Sequence, residues 1–246
     1  MPSTDPATDA GSNDETLELD LPPEVVALAG RQLPDGQPGY RPPRELPEHT
    51  TAGPPSADLL DDVPHWPPAA TRVGLLQLVP VRQQRDLALL TGWMNDPAVH
   101  RYWALAGDAA VTAAHLRPQL TGDGRSVPCL GVLDGTPMSY WEIYRADLDP
   151  LARHYPARPH DTGVHVLIGP AAQRGSGTGT ALLRAVADLI LDSRPDCTRV
   201  VAEPDLHNTP SVAAFLGAGF RLSAEVDLPD KRAALLVRDR LLRHVL

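Results

Sequence analysis

The order of hydrophobic patterns in this chain predicts an α+β domain, a mixed and mostly antiparallel central sheet flanked by helices, behind a proline-rich acidic arm. Three observations carry that expectation. Short apolar runs of strand character are interspersed irregularly with helical patterns, so regular βαβ repetition is absent. Two of the runs, residues 129–133 and 138–144, meet across Asp134-Gly135, a hairpin turn pair. Composition also changes near residue 70. Residues 1–70 hold 14 of the 27 prolines and a net charge of −10, which leaves the remainder of this −9 chain close to neutral. A segment so acidic and proline-broken cannot bury much surface.

Within the arm, residues 17–21 alternate like a short strand. Residues 22–30 read as a short helix, with proline at its start and glycine at its end. Residues 17–30 are expected to dock on the domain or a partner, and 31–70 to be an irregular linker. The domain is expected over 71–246. Its first strand is residues 73–79, followed by a helix over 82–94 that stops at Asn95-Asp96-Pro97 and a second helix over 111–120. The hairpin comes next, then a strand at 164–168, a glycine-rich turn and a helix over 179–192. A strand at 198–203, a helix at 209–216 and strands at 220–227 and 233–238 complete the order. No internal repeat is present.

The most informative stretch is Arg174-Gly175-Ser176-Gly177-Thr178-Gly179-Thr180, between a strand and a helix start. Glycines let the backbone approach a ligand, and the free N–H groups of a helix N-terminus face anions. Arg174 adds a positive charge. The same glycines also suit a plain strand-to-helix turn without a ligand. A nucleotide-triphosphate loop would need a lysine after the last glycine, and the only lysine is Lys231. A dinucleotide fold would need more chain after the turn. Coenzyme A is the pyrophosphate ligand that remains.

The turn resembles the coenzyme A pyrophosphate loop of GNAT acyltransferases. The run Asn208, Ser211, Phe215, Gly219-Phe220 is similar to the helix and turn that follow it in that family. A finer likeness covers nearly the whole chain. Trp93-Met94-Asn95, Ser126 with Pro128, Tyr140-Trp141-Glu142-Ile143-Tyr144, His165 with Ile168, and Asp205 with Asn208-Thr209 resemble the acyltransferases of hydroxamate siderophore assembly. Those include aerobactin-type hydroxylysine acetyltransferases and the mycobactin lysine acyltransferase. The resemblance implies the GNAT fold, with acetyl- or succinyl-coenzyme A as co-substrate and no metal. It implies an acceptor that is an N-hydroxylated diamine or amino acid.

By the same resemblance, backbone around Val166, Leu167 and Ile168 would hold pantetheine, and residues 174–180 the pyrophosphate. Asn208, Ser211 and Phe215 would line the coenzyme. Many relatives carry a tyrosine acid where this chain has Phe215, which cannot donate a proton. Asp205 would be the general base and His165 a substrate binder or base partner, in either order. Their residue types alone also allow a core histidine and a helix cap. Trp141, Glu142, Tyr144, Trp103 and Ser126 would contact the acceptor. Trp141 and Tyr144 point to opposite faces of a strand, so both cannot line one cleft.

Other classes fit less well. Nothing basic suggests nucleic acid, no apolar run or leader pattern suggests a membrane, and the two cysteines lead to the expectation of a reducing cytoplasm. Cys129 and Cys197 sit in apolar contexts, as buried thiols of a reducing compartment do. Arg153, His154 and His160 lack metal-ligand spacing. An aminoglycoside-type acetyltransferase would want a more acidic domain, and a non-catalytic coenzyme-binding domain would not need His165 and Asp205. Partners beyond the small hydroxylated amine would be other siderophore-pathway enzymes.

Overall fold

Alternating side chains and tight turns put eight strands of the described residues into one sheet. They are β1 Ala69–Thr71, β2 Gly74–Pro80, β3 Ser126–Leu133, β4 Thr136–Arg145, β5 Thr162–Ile168, β6 Arg199–Ala202, β7 Arg221–Asp227 and β8 Arg232–Asp239. Their spatial order is β1-β2-β3-β4-β5-β6-β8-β7. Only β5 and β6 are parallel, and the other neighbours are antiparallel. The helices are α1 Gln83–Met94, α2 Pro97–Trp103, α3 Ala109–Leu120, α4 Thr178–Ser193 and α5 Thr209–Gly217. This is the expected mixed sheet. The computed structural model describes Leu60 and residues 62–244. The expected strand and helix within residues 17–30 and the linker up to 59 lie outside the described residues.

The β3–β4 hairpin turns at Asp134 and Gly135 with φ of 46° and 79°, the pair of positive values that a two-residue turn between twisted strands requires. Asp134 then fastens the neighbouring strand, its carboxylate accepting the Leu75 N–H at 2.8 Å. On one face of the sheet, α4 and α5 pack Leu182, Val186, Ile190 and Phe215 against Trp141, Ile143 and Val164. On the other, Leu90, Met94, Val99 and Leu116 of α1–α3 cover Leu130, Tyr140 and Leu167. Farther along β4, Tyr144 packs instead with Ala146, Leu151 and Tyr155 of the β4–β5 connection. Tyr140 and Tyr144 share a face by alternation, and Glu142 stands between them. The gap between these two clusters is therefore where a polar site can open.

Strand β1, paired with β2, was not expected, and neither were two further parts of the structure. The packed unit begins upstream of residue 71, because Leu60, Val63 and Trp66 are 1%, 0% and 6% exposed and belong to the main core. Their spacing of three was hidden among prolines and acids. α2 was also missed, since Pro97 reads as a helix stop. Pro97 instead opens the new helix, with the Asp96 carboxylate accepting the Ala98 N–H at 2.9 Å.

Candidate active site

The site arises where β5 and β6 part. Parallel pairing is registered only at Thr162–Val200 and Gly163–Val201, although β5 runs on to Ile168. Beyond that point the edge of β5 faces a cleft of about 440 Å³. Val166, Asn208, Ser211 and Phe215 line one part of it, and Trp103, His115, Glu142 and His165 another. Phe215 is buried and packs edge-on against Phe220 at 5.0 Å, so it is wall and not acid. Asn208 caps α5 through the Ser211 N–H at 3.3 Å. Leu167 and Ile168, also expected along the coenzyme, pack their side chains into the two cores and do not line this cleft.

At the far end of β5 lies the glycine turn. Gly175 and Gly177 have φ of 72° and 84°, in the left-handed region. Gly177 is the N-cap of α4 and offers no side chain, so the N–H groups of the first turn stay directed at whatever approaches. Ser176 and Thr178 hydroxyls bond each other at 2.9 Å and hold the loop closed. The sequence reading of Arg174 needs correction. Its guanidinium donates to the Ile168 and Gly169 carbonyls at 2.8 and 2.6 Å and pairs with Asp96 at 3.0 Å. With three of its five donors committed to these partners, Arg174 braces the turn from within.

His165 is the centre of the polar site, but its partner is not Asp205. On the neighbouring β4 its registered partner is Glu142, whose Oε2 lies 2.8 Å from Nδ1. Across the parting strands its Nε2 meets Glu203, the residue directly after β6. Burial opposes charge on the ring, yet the two carboxylates outweigh it and raise the His165 pKa to about 10. Glu203 is itself held down at about 2 against its own burial, chiefly by His165 and next by Lys231. Glu142 is pushed below the ordinary carboxylate range in spite of burial, by His115 and His165. The imidazole is thus an imidazolium at neutral pH, gripped at both nitrogens.

The grip is rigid because every carboxylate oxygen is used. Glu142 Oε1 accepts from Tyr140 at 2.8 Å and Gln119 at 2.7 Å and meets His115 as well. Glu203 Oε2 accepts from Tyr144 at 2.8 Å. The Tyr144 ring lies 4.8 Å from the His165 ring. It reaches there over Gly163, where a Cβ would fall 2.1 Å from Tyr144 Cζ. Trp103 stands edge-on to His165 at 6.2 Å. Burial and the Glu203 charge hold the Tyr144 hydroxyl protonated well beyond its ordinary range.

Asp205 lines the cleft separately, with about a quarter of its side chain exposed. Its Oδ1 accepts from the backbone N–H of His207 at 2.7 Å and meets the His207 ring at 2.9 Å. These bonds hold it below the usual carboxylate range, with the backbone N–H the larger cause. Trp141, expected at the acceptor, lies fully buried on the opposite face under α4, as strand alternation dictates. Ser126 lines a second cavity of about 250 Å³, which shares Glu142 and His165 with the first. It reaches the network through Gln119 at 2.8 Å. Glu203, His115, Gln119 and Lys231 were missed. Glu203-Pro204 follows an apolar strand, which was the one available hint.

Burial raises the Cys129 thiol to about 12 and pushes Cys197 up too, so neither is a nucleophile. Among the described residues, no helix is long and apolar enough to cross a membrane. No group of three His, Cys, Asp or Glu among them has the arrangement that holds a metal ion.

Known proteins share this architecture. The sequence profile of the acetyltransferase (GNAT) domain matches residues 82–228. The N(6)-hydroxylysine O-acetyltransferase of Escherichia coli is 37% identical over 155 residues, 63% of this chain and 49% of that protein. The chain thus spans about half the length of that relative. The lysine N-acyltransferase MbtK of Mycolicibacterium paratuberculosis is 33% identical over 178 residues, 72% of this chain and 76% of that protein. Among solved structures, aminoglycoside acetyltransferase AAC(6′)-Ib with coenzyme A and kanamycin superposes with a TM-score of 0.61 at 25% identity, covering 69% of this chain and 98% of that one.

Proposed function

The chain belongs to the acetyltransferase (GNAT) family, and from that premise we propose that it transfers an acyl group from acyl-coenzyme A to the nitrogen of an N-hydroxylated diamine or amino acid. The product is a hydroxamate of the kind siderophores use. The observation that carries this reading is the pairing of an imidazolium locked between two glutamates with an accessible, weakly basic Asp205. Such a site holds no strong free base. A hydroxylamine needs none, because it is far less basic than a primary amine and enters largely neutral at pH 7.

In this reading the pyrophosphate rests on the glycine turn and pantetheine on the open edge of β5, which brings the thioester into the cleft. The hydroxylamine nitrogen attacks the thioester carbonyl and forms the C–N bond. The nitrogen's proton passes to the Asp205 carboxylate, and the C–S electron pair leaves with the coenzyme A sulfur. Phe215 gives no proton to that sulfur. His165, with both nitrogens occupied, acts as a fixed positive charge and wall for the acceptor and not as the base. Glu142 and Trp103 would line the acceptor's path, and Tyr144 and Ser126 support it from behind. The two buried thiols suit a reducing cytoplasm, and contact with other enzymes of the same pathway would belong to the arm.

The test is coenzyme A release by the full chain, pairing acetyl- and succinyl-coenzyme A with hydroxycadaverine, hydroxylysine, hydroxyornithine and kanamycin. Turnover of a hydroxylated amine at least tenfold above kanamycin supports the reading. Preference for kanamycin would make the enzyme an aminoglycoside acetyltransferase, and no release with any pair would leave a coenzyme-binding domain.

A further inference from the structure

A groove of about 580 Å³, sharing no lining residue with the cleft, runs beside the first turns of α4. Ala70, Arg72, Thr180, Arg184 and Gly217 are among its lining, and Thr180 is also the last residue of the glycine turn. Two guanidiniums face this groove, and each is fixed by a backbone carbonyl. Arg72 Nη2 donates to Gly177 O at 2.9 Å, and Arg184 Nη2 donates to Gly217 O at 3.1 Å. Among the described residues neither is paired with a carboxylate. The one acid of the lining, Asp188, is drawn to Arg238 at 2.7 Å. Gly217 lets α5 come close to α4 here, since an added Cβ would sit 3.1 Å from Thr180 Cγ2. An arginine bonded once to a carbonyl keeps four N–H donors for an anion.

The spacing suggests which anion. Arg72 stands at the helix start, and Arg184 is attached seven residues beyond Gly177, about 10 Å along the axis. A ligand anchored by a pyrophosphate on the turn, with a further phosphate monoester reaching along the groove, meets both. We propose that Arg72 and Arg184 bind the 3′-phosphate on the adenosine of the acyl donor, so that this chain discriminates coenzyme A from its 3′-dephospho form. The inference rests on the acyl-coenzyme A reading above and adds a second anion site to it. Charge-assisted bonds from fixed guanidiniums are the strong kind, and planar guanidinium forks suit phosphate.

Calorimetry of the full chain with coenzyme A and with 3′-dephospho-coenzyme A tests it. Wild type is expected to bind coenzyme A at least tenfold more tightly, and the preference should weaken as salt rises. In the Arg72→Ala, Arg184→Ala double variant the ratio should fall below about threefold. If that variant unfolds on heating well before wild type, the Arg72→Gln, Arg184→Gln pair, which keeps a neutral polar side chain at each position, gives the same ratio. Equal affinity of wild type for both ligands overturns the inference and leaves the coenzyme A reading intact. So does a loss in the variants that is the same for both ligands. Wild type that binds neither ligand overturns both.

Discussion

His165 carries its proton at neutral pH because two glutamates face it, one from the adjacent strand and one across the parting of β5 and β6. Its folded pKa is raised from 6.5 to about 10. The stabilisation that comes with this is complete below about pH 6.5 and is lost as pH climbs through 10. The melting-temperature difference between wild type and His165→Gln should therefore be largest near pH 6 and shrink by pH 10.5. Imidazole resonances of His165 that titrate near 6.5 would refute the locked imidazolium. Asp205 plays the opposite part, partly exposed and weakly basic. Asp205→Asn keeps the shape and should lower kcat by roughly 10²–10⁴ while coenzyme A affinity stays nearly constant. An Asp205→Asn enzyme with unchanged kcat would reduce Asp205 to a turn residue. His165 and Asp205 were both legible by position in a motif. Their separation was not, because Glu203 becomes the partner of His165 only through a contact 38 residues away in sequence.

At the scale of elements, the strand, glycine turn and helix proposed to hold the coenzyme were readable because local chemistry forces them. Gly177 must turn left-handed at φ 84° and close under Arg72. Gly177→Val should raise the coenzyme A dissociation constant at least tenfold, about 1.4 kcal/mol, by titration calorimetry. Unchanged affinity would remove the turn from the binding site. Arg174 shows the limit of such reading. A basic residue at a phosphate turn suggests a ligand contact, but its donors go to carbonyls and Asp96 that only the fold brings near. α2 was misread for a related reason, since a proline after an aspartate suits a helix start as well as a stop.

Across the whole molecule, hydrophobic patterning was enough for most of the mixed sheet, because β3, β4, α4 and β8 carry mainly apolar runs, although β1 escaped it. It failed at the boundary, where Leu60, Val63 and Trp66 are isolated among polar residues yet complete the core. Trp66→Ala should cost about 3–5 kcal/mol in urea unfolding, and a chain starting at residue 71 should be destabilised at least as much. A Trp66→Ala chain as stable as wild type would place the boundary back at residue 71. The parting of β5 from β6, the glycine turn and the site without a strong free base together support the proposed activity. Its most direct test is the ratio of kcat/KM for N6-hydroxylysine over lysine, or hydroxycadaverine over cadaverine, at pH 7 with acetyl-coenzyme A. The account predicts a ratio of at least about 10², with ferric-binding hydroxamate as product. A ratio near one, or acylation of the plain amine alone, would contradict it.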